Sequence, residues 1–171
     1  MRQISGKSRK RNLRKSSARA VKRGKTTTTA NTAGSSPTRE ELITTLLKKH
    51  GVSWAMKRCD TIYSRFIRNR DPICLFQYAP NVDPTARACS NPSSQNSHFW
   101  GRGNKGTRYD DENCDGICGH CHMEHEGSKQ GLYSEIKRWQ LGDERYDALE
   151  RRARSSTPLY DVLLAFMLRM W

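Results

Sequence analysis

Acidic residues are absent from the first thirty positions, which hold eleven of the chain's 31 lysines and arginines. The other 141 residues carry twenty basic and all seventeen acidic side chains, so the net charge of +14 belongs almost wholly to that N-terminal arm. Large apolar side chains are scarce there too. "SRKRNLRKSSARAVKRGK", followed by "TTTTANTAGSSP", offers too little surface to offset the entropy of ordering it. Residues 1–36 therefore read as a disordered basic arm. Arg9, Lys10, Arg11, Arg14 and Lys15 are candidates to neutralise nucleic-acid phosphates and release their counterions. A solubilising tail is the plainer reading. A basic, Ser-rich start also occurs in transit peptides, but the rest of the chain argues against one. Long apolar runs are missing as well. None reaches the length of a membrane span, and no apolar core follows the basic start as it would in a secretory signal. The expectation is no membrane partner and a reducing, cytoplasmic compartment. At 35% hydrophobic content the chain suits one small domain plus the arm.

Structure is expected to begin at Pro37. In "PTREELITTLLKKHG", Thr38 and Glu41 have the spacing of a capping box, Leu42, Ile43, Leu46 and Leu47 form an apolar stripe, and Gly51 is a natural stop. A second helix over "SWAMKRCDTIYSRFIRNRD" would pack Trp54, Ile62, Tyr63, Phe66 and Ile67, leave Arg65, Arg68 and Arg70 in water, and bury Cys59 as a small core residue. Residues 37–70 thus form a helical lead-in. Proline is rare except between Pro72 and Pro92, where four of six occur and no long helix can run. "SHFWGRGNKGTRYDDEN" reads as strand, Gly-rich loop and return strand near Tyr109, with a helix starting around Cys121. "YSEIKRWQLGDERYDALERRA" continues as helix with a break at Gly142. Residues 155–171 are a short apolar helix that packs on the domain or, alternatively, makes a dimer contact. The fold class is α+β: a small zinc-stapled unit over residues 71–154, flanked by helices.

Twenty residues concentrate the chemistry. "RYDDENCDGICGHCHMEHEG" contains three cysteines, three histidines and six carboxylates. Cys118 and Cys121 form a Cys-x-x-Cys pair, a spacing at which two thiolates reach one tetrahedral ion. Cys74 and Cys89 are the candidates for the second pair, and Cys114 is the competitor for one place. In a reducing compartment such a set points to structural Zn²⁺ rather than disulfides, and a thin core makes the staple useful.

The cysteines do not account for the histidines. His98, Asn113 fifteen residues on and His122 nine residues after that enclose a hairpin and enter a helix. Phosphodiester cleavage needs an activated water and neutralised phosphate charge. His98, expected near its neutral pKa, is the candidate base. His122 at the helix start is the candidate ligand for a divalent cation, Mg²⁺ or Mn²⁺ with Zn²⁺ as the alternative. His125 and Glu126, three and four residues on, share its helix face and compete for the second ligand place, with Glu126 preferred. Arg102, Lys105 and Arg108 on the hairpin are candidates to grip phosphate. His120 is expected exposed, His50 at a helix C-terminus, and Asp110, Asp111 and Glu112 solvated.

This His-Asn-His spacing resembles the HNH nuclease motif, a ββα unit around one catalytic metal. With its cysteines, the chain is also similar to zinc-stapled phage endonucleases that resolve branched DNA. "SRFIRNRDPIC", "SHFWGRG", "TRYDDENCDGICGHCH", "EGSKQGLYSEIKRW" and "RYDALERRA" resemble, in order and rough spacing, the phage NinG (Rap) recombination nucleases over residues 64–154. The chain departs from that pattern where "LFQYAPNVDPTARA" spreads the first cysteine pair, and where His122 follows the last cysteine in place of Asn. The resemblance implies a metal-dependent endonuclease acting on branched recombination intermediates in the bacterial host cytoplasm. It implies that Asn113 holds the hairpin and orients the His98 loop, and that Ser97 stands where relatives carry an Asp or His ligand. Two other readings are a non-catalytic zinc-knuckle nucleic-acid binder and an HNH homing or packaging nuclease.

Overall fold

The computed structural model describes residues 36–125 and 130–170. Arg9, Lys10, Arg11, Arg14 and Lys15 of the expected arm, and Glu126, lie outside these residues.

Helix α1, Arg39–His50, starts at the expected capping box: the Thr38 amide donates to Glu41 Oε2 at 2.7 Å, and the Glu41 amide to Thr38 Oγ1 at 3.2 Å. Gly51 ends it with φ at +81°, a conformation that glycine adopts without steric cost, and its amide donates to Leu47 O. Helix α2, Val52–Arg70, follows at once. It buries Ala55, Cys59, Tyr63 and Ile67, one ridge at four-residue spacing, against Ile43 and Leu47 of α1. The expected stripes shift accordingly. Leu42, Ile62 and Phe66 stay largely exposed, because only a single ridge of each helix meets its neighbour. Helix α5, Leu159–Met170, closes this core with Leu163 and Phe166. Phe166 and Tyr109 meet Tyr63 edge-on, each at 5.5 Å between ring centres. The expected lead-in and C-terminal helix therefore share one core.

A second core gathers Cys74, Leu75, Phe76, Ala79, Ile117, Cys118, Cys121, Tyr133 and Ile136. Strand β1, Gln95–His98, pairs antiparallel with β2, Cys114–Ile117, in the register Ser97 to Asp115 and His98 to Cys114. The return strand begins at Cys114 rather than near Tyr109, because the Tyr109 ring is drawn into the helical core. Helix α3, Gly119–His125, starts two residues before the expected Cys121. Gly116 lets the hairpin close on the end of α2: a Cβ there would lie 2.5 Å from Asp71 O. Helix α4, Gln130–Arg154, bends at Gly142, where φ is +73°.

Ion pairs qualify three further expectations. Asp111 stays exposed, but Asp110 and Glu112 are not left to solvent. Arg152 Nε donates to Asp110 at 2.8 Å, Arg145 Nε to Glu112 at 2.8 Å, and the Tyr63 hydroxyl to Asp111 at 3.0 Å. The acidic turn faces the basic far half of α4, so the charges pair rather than hydrate. Arg70 is exposed as expected, but its guanidinium also donates to Asp71, to Asp111 O and to Cys114 O. Arg108, expected at phosphate, donates through Nε and Nη2 to both oxygens of Asp60 at 2.9 and 2.6 Å, and through Nη1 to Arg102 O. Its guanidinium is committed within the fold.

Candidate metal cluster and adjoining cavity

Cys74, Cys89, Cys118 and Cys121 bring their sulfurs within 4.8 Å of one another, a cluster that can hold a metal ion. The Cys89 and Cys118 sulfurs lie 3.8 Å apart. Zinc–sulfur bonds of about 2.3 Å in a tetrahedron place sulfurs about 3.8 Å apart, so the arrangement is consistent with structural zinc. Cys114 and Cys59 stand outside the cluster, buried in the helical core.

The local chain explains how cysteines fifteen positions apart converge. After Cys74, a 3-10 helix over Leu75–Asn81 buries Leu75, Phe76 and Ala79. The Cys89 amide then donates to Phe76 O at 3.1 Å, and the Cys74 amide to Asn91 O at 3.0 Å, closing the insertion at its base. On the other side, the Cys121 amide donates to Cys118 Sγ at 3.4 Å. Burial opposes ionisation of Cys118, but amide and side-chain donors from Cys121, Asn91 and Cys89 bring its thiol down to about 7. Burial pushes Cys74 up to about 11, so without a cation this thiol keeps its proton at neutral pH.

The hairpin and α3 make a ββα unit beside this cluster. Asn113 is fully buried and uses both ends of its amide: Oδ1 accepts from the Trp100 amide at 2.8 Å, and Nδ2 donates to Trp100 O and Thr107 O. Its own carbonyl accepts from the Phe99 amide. The loop leaving His98 is thereby stapled.

His98 Nε2 lies 3.1 Å from Arg108 O. A carbonyl only accepts, so Nε2 carries the proton and Nδ1 is the acceptor. Burial, then the nearby Arg102 guanidinium, pushes the imidazole down to about 4. This corrects the expectation of a near-neutral pKa: the ring sits in low dielectric among cationic neighbours, and the carbonyl and Asp60 compensate only in part.

His98, His122 and His125 line one cavity of about 330 Å³ together with Asn96, Ser97 and Arg102. The His122 and His125 rings meet edge-on at 5.1 Å. Ser97 Oγ lies 3.0 Å from His125 Nε2. Arg102 and Lys105 are exposed on the loop. His120 is exposed and pairs with Glu124 at 3.3 Å, and His50 stacks on Trp54 at 4.4 Å.

Sequence reasoning missed a polar group buried on β2, which borders a different cavity. Asp115, paired in register with Ser97, accepts from the Tyr133 hydroxyl and from Lys137 Nζ, each at 2.8 Å, and Lys137 is 2% exposed. The signal was there: Lys137 follows Tyr133 and Ile136 at helical spacing, on a face that should have been apolar. A buried pair of this kind is costly to desolvate and is retained here with every partner in place.

Comparison with protein-family models, with curated proteins and with solved structures finds no significant match to this chain.

Proposed function

We propose that the protein is a metal-dependent DNA endonuclease of the HNH class, with Zn²⁺ as a structural staple in its four-cysteine cluster. The observation that supports this best is the shared cavity. A half-buried imidazole with an acceptor nitrogen, His98, and two helix imidazoles, His122 and His125, border the same space. A nucleic-acid binder has no need of that convergence. On this reading a divalent cation would be held by His122 with His125 or Glu126, and imidazole ligands favour Zn²⁺ over Mg²⁺. Such a cation supplies charge neutralisation at the phosphate and at the leaving oxygen.

The chain's own residues do the rest. His98 accepts a water proton at Nδ1 while Arg108 O fixes its other nitrogen. A bound phosphate brings negative charge next to Arg102, offsetting the cationic field that weakens His98 as a base. Asn113 holds the loop that fixes the ring's position. Arg102 and Lys105 remain to contact phosphate, with the basic arm contributing affinity. Action on branched recombination intermediates, Holliday junctions and D-loops, rests on the NinG (Rap) resemblance.

The test is nicking of branched and linear DNA by wild type and His98→Ala with Mg²⁺, Mn²⁺ or chelator. His98→Ala should lose cleavage by roughly 10²–10⁴-fold while keeping its affinity for DNA. Equal cutting by both proteins would remove the assigned base. Binding with no cutting by either, at any metal, would leave the zinc-knuckle binder.

A further inference from the structure

A second cavity, of about 440 Å³, adjoins the first and shares His98, Gly101 and His125 with it. Its other walls are planar: Phe99, Trp100, Tyr133 and Tyr146. Phe99 meets Trp100, Tyr133 and Tyr146 edge-on at 5.4, 5.2 and 5.7 Å between ring centres. The rings are thus braced against one another rather than collapsed into the space. Gln130 and Ser134 add an amide and a hydroxyl to the lining, and the buried Trp100 indole N–H meets no hydrogen-bond partner among the described residues. The Arg138 guanidinium lies 4.2 Å over the Tyr146 ring while pairing with Asp143, and so holds that ring in place.

We infer that this cavity takes one unpaired nucleobase of the DNA strand whose phosphate lies at His98. Aromatic walls with a few hydrogen-bonding groups suit a flat, polar-edged ring, and stacking on such walls is how proteins hold bases outside a duplex. A base still in its pair has its faces covered by its neighbours and cannot enter. The shared wall of His98, Gly101 and His125 puts the base and its own phosphate in adjacent compartments. The placement of the phosphate rests on the nuclease reading above; the stacking does not.

The experiment measures binding of single-stranded oligonucleotides, each with one abasic site at a successive position, to the full chain without added divalent metal. Cleavage is assayed in parallel, with Mg²⁺ or Mn²⁺ added, on the same strands and on branched DNA. Wild type should show one position at which loss of the base weakens binding roughly tenfold. Trp100→Ala should bind the intact strand as weakly as wild type binds that abasic strand and lose sensitivity to the position. Trp100→Phe should restore it, which a folding defect would not permit. Tyr146→Ala supplies an independent probe from the other wall. A flat abasic profile in wild type, or an unchanged profile in Trp100→Ala, overturns the inference whether or not the protein cuts. An abasic profile without cleavage keeps the base pocket and sinks the nuclease reading instead.

Discussion

His98 carries a measurable signature apart from any reaction. Its imidazole titrates at about 4 in the native chain because burial and Arg102 disfavour the cation, whereas in an unfolded chain it takes its proton near 6.5. Between those values the unfolded state binds more protons, so folding stability falls as pH drops from about 6.5 towards 4 and is fully present above 6.5. In His98→Gln this component disappears, and the urea midpoint should change less between pH 7 and pH 5 than in wild type. An identical loss in both proteins would place the acid sensitivity elsewhere. Arg108 offers a second check. Its guanidinium spans both oxygens of Asp60, so Arg108→Ala should cost about 2 kcal/mol of unfolding free energy and leave the salt dependence of DNA binding unchanged. The sequence placed Arg108 at phosphate because Asp60 lies 48 positions away, and no local pattern couples the two. Asp110 and Glu112 were misplaced for the same reason, their partners Arg152 and Arg145 lying on a distant helix. The place of Asn113 in the hairpin was implied by the HNH resemblance, and its amide indeed holds the loop through Trp100 and Thr107.

At the scale of elements, the insertion between Cys74 and Cys89 behaves as a small folded piece. It buries Phe76 and Ala79 and is closed by the Cys89 amide on Phe76 O and the Cys74 amide on Asn91 O. Its metal half could be read from thiol spacing, but its fold could not, since a 3-10 helix with an internal proline has no periodic signature. The cluster predicts one tightly held metal per chain. Elemental analysis should find about one zinc per protein in wild type and in Cys114→Ser, and markedly less in Cys118→Ser. Chelation should lower the unfolding midpoint by an amount that zinc restores. Retention of full zinc by Cys118→Ser would exclude the four-sulfur set.

For the molecule as a whole, two cores meet across the hairpin, and each depends on elements distant in sequence. Helix α5 seals the first with Leu163 and Phe166 against residues more than a hundred positions earlier. Leu163 is fully buried, so Leu163→Ala should lose about 2–5 kcal/mol in a denaturant titration, a loss that a helix serving only as a dimer contact would not show in a monomer. No sequence pattern pairs α5 with α1 and α2, because three apolar helices can pack in many orders and nothing local chooses among them. Removal of residues 1–35 should weaken DNA affinity and flatten its dependence on salt, read from the slope of log K against log salt. An unchanged slope would make that segment a bystander.

The pairing of charges inside the folded part has one more consequence. Arg70, Arg108, Arg138, Arg145, Arg152 and Arg154 each face a carboxylate, so the charge of these six is spent largely within the fold. On the nuclease reading proposed above, replacing residues 1–36 with another polybasic tract should preserve cutting and change only how firmly DNA is held.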